Sequence, residues 1–166
     1  MLPYIIVAGD DPARVGNKAA NLARLASIEG IAIPPYFAVS AWAFDLAVAN
    51  SAPLIRTLEA EPADSPRIPD LAAAIRGRIF AAPVSPELAA SITDAYRVLS
   101  HCFGEDASQV AVRSSGTGED GSTASHAGQY ATRLGVTGAA AVIRAVREVW
   151  ASTYATQAVR YRKQQP

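Results

Sequence analysis

The sequence predicts an α+β fold that is rich in helices and contains a small mixed sheet. Apolar residues recur at helical spacing over most of the chain, short apolar runs end at turn residues, and prolines and glycines separate these segments. Of the 166 residues, 50% are hydrophobic and 18% are charged. This size and composition are typical of a compact domain rather than a disordered chain. We therefore expect residues 1–166 to form one domain.

Two elements are predicted near the start of the chain. Residues 4–8 are an apolar, β-branched run followed by turn residues, which predicts a strand. Between residues 17 and 28, the spacing of Leu22, Leu25 and Ile28 predicts a helix with one apolar stripe. We expect that stripe to face the core.

A second strand and a short helix are predicted next. The proline pair at residues 34–35 favours an extended segment, because a residue before proline is pushed out of the helical region. The apolar run at residues 36–40 then predicts a strand. Ser40 is a suitable N-cap for a short helix through residues 42–46.

Two longer helices are separated from this region by a proline-rich connection. Residues 61–69 contain three prolines and are predicted to lie on the surface between helices. Apolar residues at four-residue steps across residues 71–79 indicate the first helix. Ser85 and Pro86 are a typical N-cap and first residue of the second, which we expect to end near residue 103.

The last third of the chain combines two strands with a helical end. Residues 109–113 and 129–136 are predicted strands, and a polar, glycine-rich stretch lies between them at residues 114–125. Apolar residues at helical spacing across residues 142–161 indicate the final helical region.

The single cysteine, Cys102, excludes an internal disulfide. Together with the neighbouring His101 it makes a poor metal site, since the other histidine is distant in sequence. We interpret Cys102 as a small buried hydrophobic residue.

Composition gives no reason to expect a nucleic-acid or membrane partner. Fifteen basic and fifteen acidic side chains give a formal net charge of zero. Apolar runs stay short of a membrane span, and the first residues lack the basic region of a signal peptide. We therefore expect a cytoplasmic protein.

The glycine-rich stretch is the best candidate for chemistry. Arg113 is the last residue of a predicted strand, and the small residues after it allow backbone N–H groups to approach an anion closely. Ser114, Ser115 and Thr117 add hydroxyl donors, and the guanidinium fork of Arg113 suits phosphate oxygens. The stretch lacks a Walker ending and a dinucleotide fingerprint, and such loops are often plain connectors.

Three ordered motifs resemble one known family. Residues 111–115, 119–120 and 125–129 resemble the signature of the N-terminal nucleotide-binding domain of phosphoenolpyruvate synthase, pyruvate phosphate dikinase and rifampicin phosphotransferase. Residues 15–22 resemble that family's Val-Gly-Gly-Lys-Ala-x-Asn-Leu segment, and residues 30–37 resemble its Gly-Ile-Pro-Val-Pro-Pro-Gly-Phe segment. The resemblance implies the first half of an ATP-grasp-like domain.

The same resemblance implies roles for particular residues. Lys18 matches a lysine that contacts the nucleotide phosphates, and Arg113 matches a catalytic arginine that holds the transferring phosphate. Gly128 and Gln129 match a loop that covers the nucleotide. The implied nucleotide-binding set is Lys18, Arg113, Ser114, Ser115, Thr117, Gly128 and Gln129.

The resemblance further implies ATP as the ligand, with Mg²⁺ held by acidic residues outside this chain, so that no metal ligand is assigned within it. The missing half of the domain would come from further chain or from a partner polypeptide. The first hypothesis is thus an ATP-binding half-domain of a dikinase-like phosphotransferase. The alternatives are a stand-alone, non-catalytic nucleotide- or anion-binding module and a purely structural domain. Whether this chain alone is an enzyme stays open.

Overall fold

The computed structural model describes residues 4–7, 9, 11–116 and 130–164. The predicted helix-rich α+β class is confirmed. The elements, in chain order, are β1 (Ile5–Ile6), α1 (Pro12–Ala26), β2 (Ala38–Val39), α2 (Ala41–Val48), a 3-10 turn (Ala49–Ser51), α3 (Ala52–Ala60), α4 (Ile68–Ala81), α5 (Pro86–Cys102), β3 (Val110–Arg113), β4 (Thr132–Val136), α6 (Ala139–Ser152) and α7 (Thr156–Gln164). None of the described helices is both long enough and apolar enough to cross a membrane.

The strands form two separate antiparallel pairs in the described residues, where the sequence predicted one small mixed sheet. In the first pair Ile5 lies opposite Val39, and in the second Arg113 lies opposite Thr132. The register of the second pair shifts along its length, and Gly135 on β4 there adopts a φ of 69°. Such a shift needs an extra residue on one strand, and glycine adopts the positive φ without strain.

Helix starts follow the local chemistry of the sequence. The Ser40 hydroxyl accepts a hydrogen bond from the N–H of Ala43 at 3.3 Å, and the Ser85 hydroxyl accepts one from the N–H of Leu88 at 3.2 Å. Each serine satisfies an N–H group that has no partner within its own helix. Both predicted N-caps are confirmed.

The core consists of two main clusters. One joins α4 to α3, α6 and α7 around Ile68 and Ile75, which are both fully buried. The other joins α5 and α6 to the inner face of β3 and β4. Trp150 packs against both clusters, so α6 connects the helical core to the sheet that carries Arg113.

The prediction that the apolar stripe of the first helix faces the core is wrong. Leu25 and Ile28 are 42% and 51% exposed. The helix instead buries a face with small residues, Val15, Ala19 and Ala20, against the β1–β2 pair. Small side chains allow this helix to approach the strands closely, which a leucine stripe would prevent.

The interpretation of Cys102 as a buried residue is also wrong. Cys102 is exposed at the last position of α5, and residues 101–107 are all exposed. The end of this helix therefore lies at the surface and outside the core.

Candidate functional site

Two segments that are about a hundred residues apart in the chain meet at residues 16–19 of α1. The N–H of Asn17 donates to the carbonyl oxygen of Gly116 at 3.2 Å. The N–H of Ala19 donates to the hydroxyl oxygen of Ser115 at 3.0 Å. Lys18 lies between these two donors, so the contact places it beside the segment that follows β3.

Gly16 makes this contact possible. It has φ 76° and ψ 166°, which interrupts the helical conformation of α1. A Cβ atom at this position would lie 1.5 Å from the carbonyl oxygen of Ser115 and 2.6 Å from its hydroxyl oxygen. Glycine is therefore required both by the backbone conformation and by the close approach.

The break at Gly16 also explains the place of Lys18. The N–H groups just after a break in a helix need acceptors from elsewhere, as at any helix start. Ser115 supplies one such acceptor across the fold, in the manner of an N-cap. Lys18 therefore lies in the first turn after the break, while α1 itself begins earlier, at Pro12. Its side chain is half-buried.

Arg113 is the last residue of β3, and its side chain is exposed. The preceding Val112 packs into the core, and successive side chains of a strand point to opposite faces. Within the described part of the chain, the Arg113 side chain forms no hydrogen bond or ion pair. The backbone is held by pairing with Thr132, while the guanidinium is available to an anion.

The backbone positions of Lys18 and Arg113 are further limited by a short distance along the chain and by one hydrogen bond. Arg113 precedes Ser115 by two residues, which span at most about 7 Å. On the other side, the hydroxyl of Tyr36 donates to the carbonyl oxygen of Ala19 at 3.4 Å. Burial raises the pKa of the Tyr36 hydroxyl, which therefore stays protonated as a donor at neutral pH.

The start of β4, opposite Arg113, is anchored by the last two helices. The N–H of Ala131 donates to the Ser152 hydroxyl at 2.9 Å. The guanidinium of Arg162 donates to the carbonyl oxygen of Thr153 at 2.6 Å and to the Tyr130 hydroxyl at 3.4 Å. These contacts fix the strand that pairs with Arg113.

The structure thus brings four of the predicted site residues together: Lys18, Arg113, Ser114 and Ser115. The other three, Thr117, Gly128 and Gln129, lie outside the described residues. Sequence reasoning missed Gly16 as a residue of this region. A glycine two positions before Lys18, just ahead of the predicted helix, was the available signal.

Other features of the described residues do not compete with this region. The residues present include no group of three His, Cys, Asp or Glu side chains placed to hold a metal ion. A cavity of about 140 Å³ lies between α2, α4, α5 and α6. Its lining is mainly apolar and includes none of the predicted site residues.

Comparison with known proteins gives consistent matches. The family model described as pyruvate phosphate dikinase, AMP/ATP-binding domain, matches residues 12–166. A rifampicin phosphotransferase of Streptomyces sviceus is 41% identical over 153 residues, which are 90% of this chain and 17% of that protein. A probable phosphoenolpyruvate synthase of Staphylothermus marinus is 37% identical over 164 residues, 94% of this chain and 19% of that protein.

A phosphoenolpyruvate synthase of Aeropyrum pernix is 38% identical over 153 residues, 89% of this chain and 18% of that protein. The chain therefore spans about a fifth of the length of these relatives.

Proposed function

This chain belongs to the pyruvate phosphate dikinase AMP/ATP-binding domain family, and we propose that Lys18 and Arg113 bind the phosphates of ATP in it. We further propose that the chain acts as the first half of an ATP-binding domain in a dikinase-like phosphotransferase. Further polypeptide, in the same chain or in a partner, then supplies the rest of the domain and the acceptor site.

The observation that supports the proposal is the contact between two sequence motifs, one around Lys18 and the other around Arg113. Nothing in the sequence spacing requires the region of Lys18 to touch the region of Arg113, yet backbone and hydroxyl contacts join them directly. These contacts bring the backbones of two cationic residues into one region, and a polyphosphate is a ligand that suits two positive charges.

The two residues are suited to different parts of the task. The planar guanidinium of Arg113 can donate two parallel hydrogen bonds to one phosphate, which fixes its orientation. The ammonium of Lys18 is a compact charge on a flexible stem, so it neutralises phosphate charge with less demand on geometry. Phosphoryl transfer depends chiefly on such positioning and charge neutralisation.

Magnesium, which accompanies ATP in phosphoryl transfer, would neutralise further phosphate charge. The described residues offer no cluster of acids for it. We propose that its protein ligands come with the rest of the domain, and that the role of this site is to hold the nucleotide.

Replacing Arg113 with alanine tests the phosphate role. A charge-assisted hydrogen bond contributes about 1.5–3 kcal/mol, so ATP affinity should fall roughly tenfold or more. Adenosine, which has no phosphate, should bind the wild-type chain and the variant alike. Titration followed by NMR chemical shifts is suitable for the weak affinities expected.

Arg97→Ala is the matched control. Arg97 is also an exposed arginine, but it lies on α5 and its guanidinium pairs with Asp94 at 3.1 Å. Its loss changes the net charge equally and should leave ATP binding unchanged. Equal ATP affinity of wild type and Arg113→Ala would show that the proposed phosphate role is wrong.

A further inference from the structure

We propose that Gly16 and Ser115 are positioning residues, which set Lys18 at the correct place relative to Arg113 for a shared phosphate ligand. This inference rests on the proposed function. It changes the expected role of Ser115 from a hydroxyl that contacts phosphate to one that holds α1. It also adds Gly16, whose importance lies in having no side chain.

The Gly16–Ser115 contact, as we call it, consists of one close packing and two hydrogen bonds. Gly16 packs on the backbone of Ser115 so closely that no Cβ fits. The N–H of Asn17 and the N–H of Ala19 are bound to Gly116 and Ser115 at 3.2 and 3.0 Å. These three interactions bracket Lys18 on both sides, so its backbone position is set by the segment after Arg113.

The contact also determines which backbone N–H groups are left to bind an anion. The N–H groups of Asn17 and Ala19, next to the helix break, already donate to protein acceptors. Neither is available to a phosphate, unlike the N–H groups of a typical anion-binding helix end. These two N–H groups therefore hold the fold together, and we assign recognition of the anion to the side chains of Lys18 and Arg113.

The hydroxyl oxygen of Ser115 is fixed by accepting from Ala19, in the way that serine accepts at an N-cap. A phosphate would need the same hydroxyl as a donor, in a direction that this hydrogen bond limits. Holding α1 is the role that the observed geometry supports.

Three variants at Gly16 and Ser115, with two controls, test the positioning role. Gly16→Ala forces an atom into the backbone of Ser115, and Ser115→Ala removes the acceptor for Ala19. Ser115→Thr keeps that acceptor. Gly77 is the control glycine, because it lies in α4 with no atom within 4 Å of an added Cβ. Ser91, an α5 serine whose hydroxyl donates to Glu87 at 2.8 Å, is the control serine.

ATP affinity is measured by NMR titration on variants whose spectra show a folded chain. Gly16→Ala should weaken ATP binding about tenfold or more, the effect of losing one charge-assisted contact. Ser115→Ala should weaken it several-fold, Ser115→Thr should restore it, and Gly77→Ala and Ser91→Ala should leave it unchanged. Normal affinity in folded Ser115→Ala would overturn the inference.

A double variant, Ser115→Ala combined with Lys18→Ala, is compared with Lys18→Ala alone and separates positioning from direct contact. If Ser115 acts by placing Lys18, its loss should have no further effect once Lys18 is absent. A full additional loss in the Lys18→Ala background would show that Ser115 contacts the ligand itself, and would overturn the inference. This comparison does not depend on whether Gly16→Ala folds.

The outcomes also distinguish this inference from the proposed function. If Lys18→Ala and Arg113→Ala bind ATP as tightly as wild type, the proposed site is wrong. If those two variants lose affinity while the folded Gly16 and Ser115 variants keep it, only the positioning role is wrong.

Discussion

Replacing Tyr96 with phenylalanine should lower the free energy of unfolding by roughly 2–4 kcal/mol, since a buried polar group without a partner costs about 1–3 kcal/mol. Tyr96 is 3% exposed. Its hydroxyl donates to the carbonyl oxygen of Ser108 at 2.6 Å and accepts from the N–H of Gly138 at 2.8 Å. The change removes both interactions while it keeps the ring that fills the core.

These two hydrogen bonds tie α5 to the segment before β3 and to the start of α6. Urea unfolding followed by circular dichroism measures the effect. Tyr154→Phe is the matched control, because Tyr154 is half-buried and its hydroxyl forms no hydrogen bond with the described residues. Equal unfolding midpoints for the Tyr96 and Tyr154 variants would contradict the assigned role of the Tyr96 hydroxyl.

Sequence reasoning was most successful where structure depends on neighbouring residues. The caps at Ser40 and Ser85 were predicted from a serine placed just before an apolar helical pattern, and both hydroxyls accept the expected N–H. The proline-rich connection likewise lies between α3 and α4, where Pro62 and Pro66 interrupt helical hydrogen bonding. The third proline, Pro69, falls in the first turn of α4, where proline is tolerated. Such features need no knowledge of distant contacts.

Prediction from the sequence was less successful for the question of which face of a helix is buried. Leu25 was expected in the core because it belongs to an apolar stripe at helical spacing, yet α1 packs through Ala19 and Ala20 on the β1–β2 pair. The choice depends on how closely two elements can approach, and that is a property of both partners. The exposed Cys102 has the same cause, since burial at a helix end depends on how far the neighbouring elements extend.

The residues of the candidate site also differ in how far the sequence could predict them. Lys18 and Arg113 were predicted because their motifs are recognisable in sequence, whereas Gly16 acquires its role only through a contact with Ser115 about a hundred residues away. A glycine just before a predicted helix is ordinarily a weak signal. Only the fold shows that the missing side chain is what lets the two motifs join.

Removing both cationic side chains, in the double variant Lys18→Ala with Arg113→Ala, should weaken ATP binding about a hundredfold or more. Each charge-assisted contact contributes about 1.5–3 kcal/mol, and each 1.4 kcal/mol is about tenfold in affinity. The two single variants complete a double-mutant cycle, which measures how far the effects depend on one another. Residues that bind the same polyphosphate in a shared position should show a clear coupling energy.

The double control is Arg56→Ala with Arg97→Ala, which removes two exposed arginines on α3 and α5 and gives the same net charge. It should bind ATP as the wild-type chain does, because separated surface charges are largely screened at physiological salt. Raising the salt concentration should weaken ATP binding to wild type more steeply than to the site variant, whose phosphate contacts are gone. Equal losses in the two double variants would mean that net charge, rather than the position of Lys18 and Arg113, governs binding.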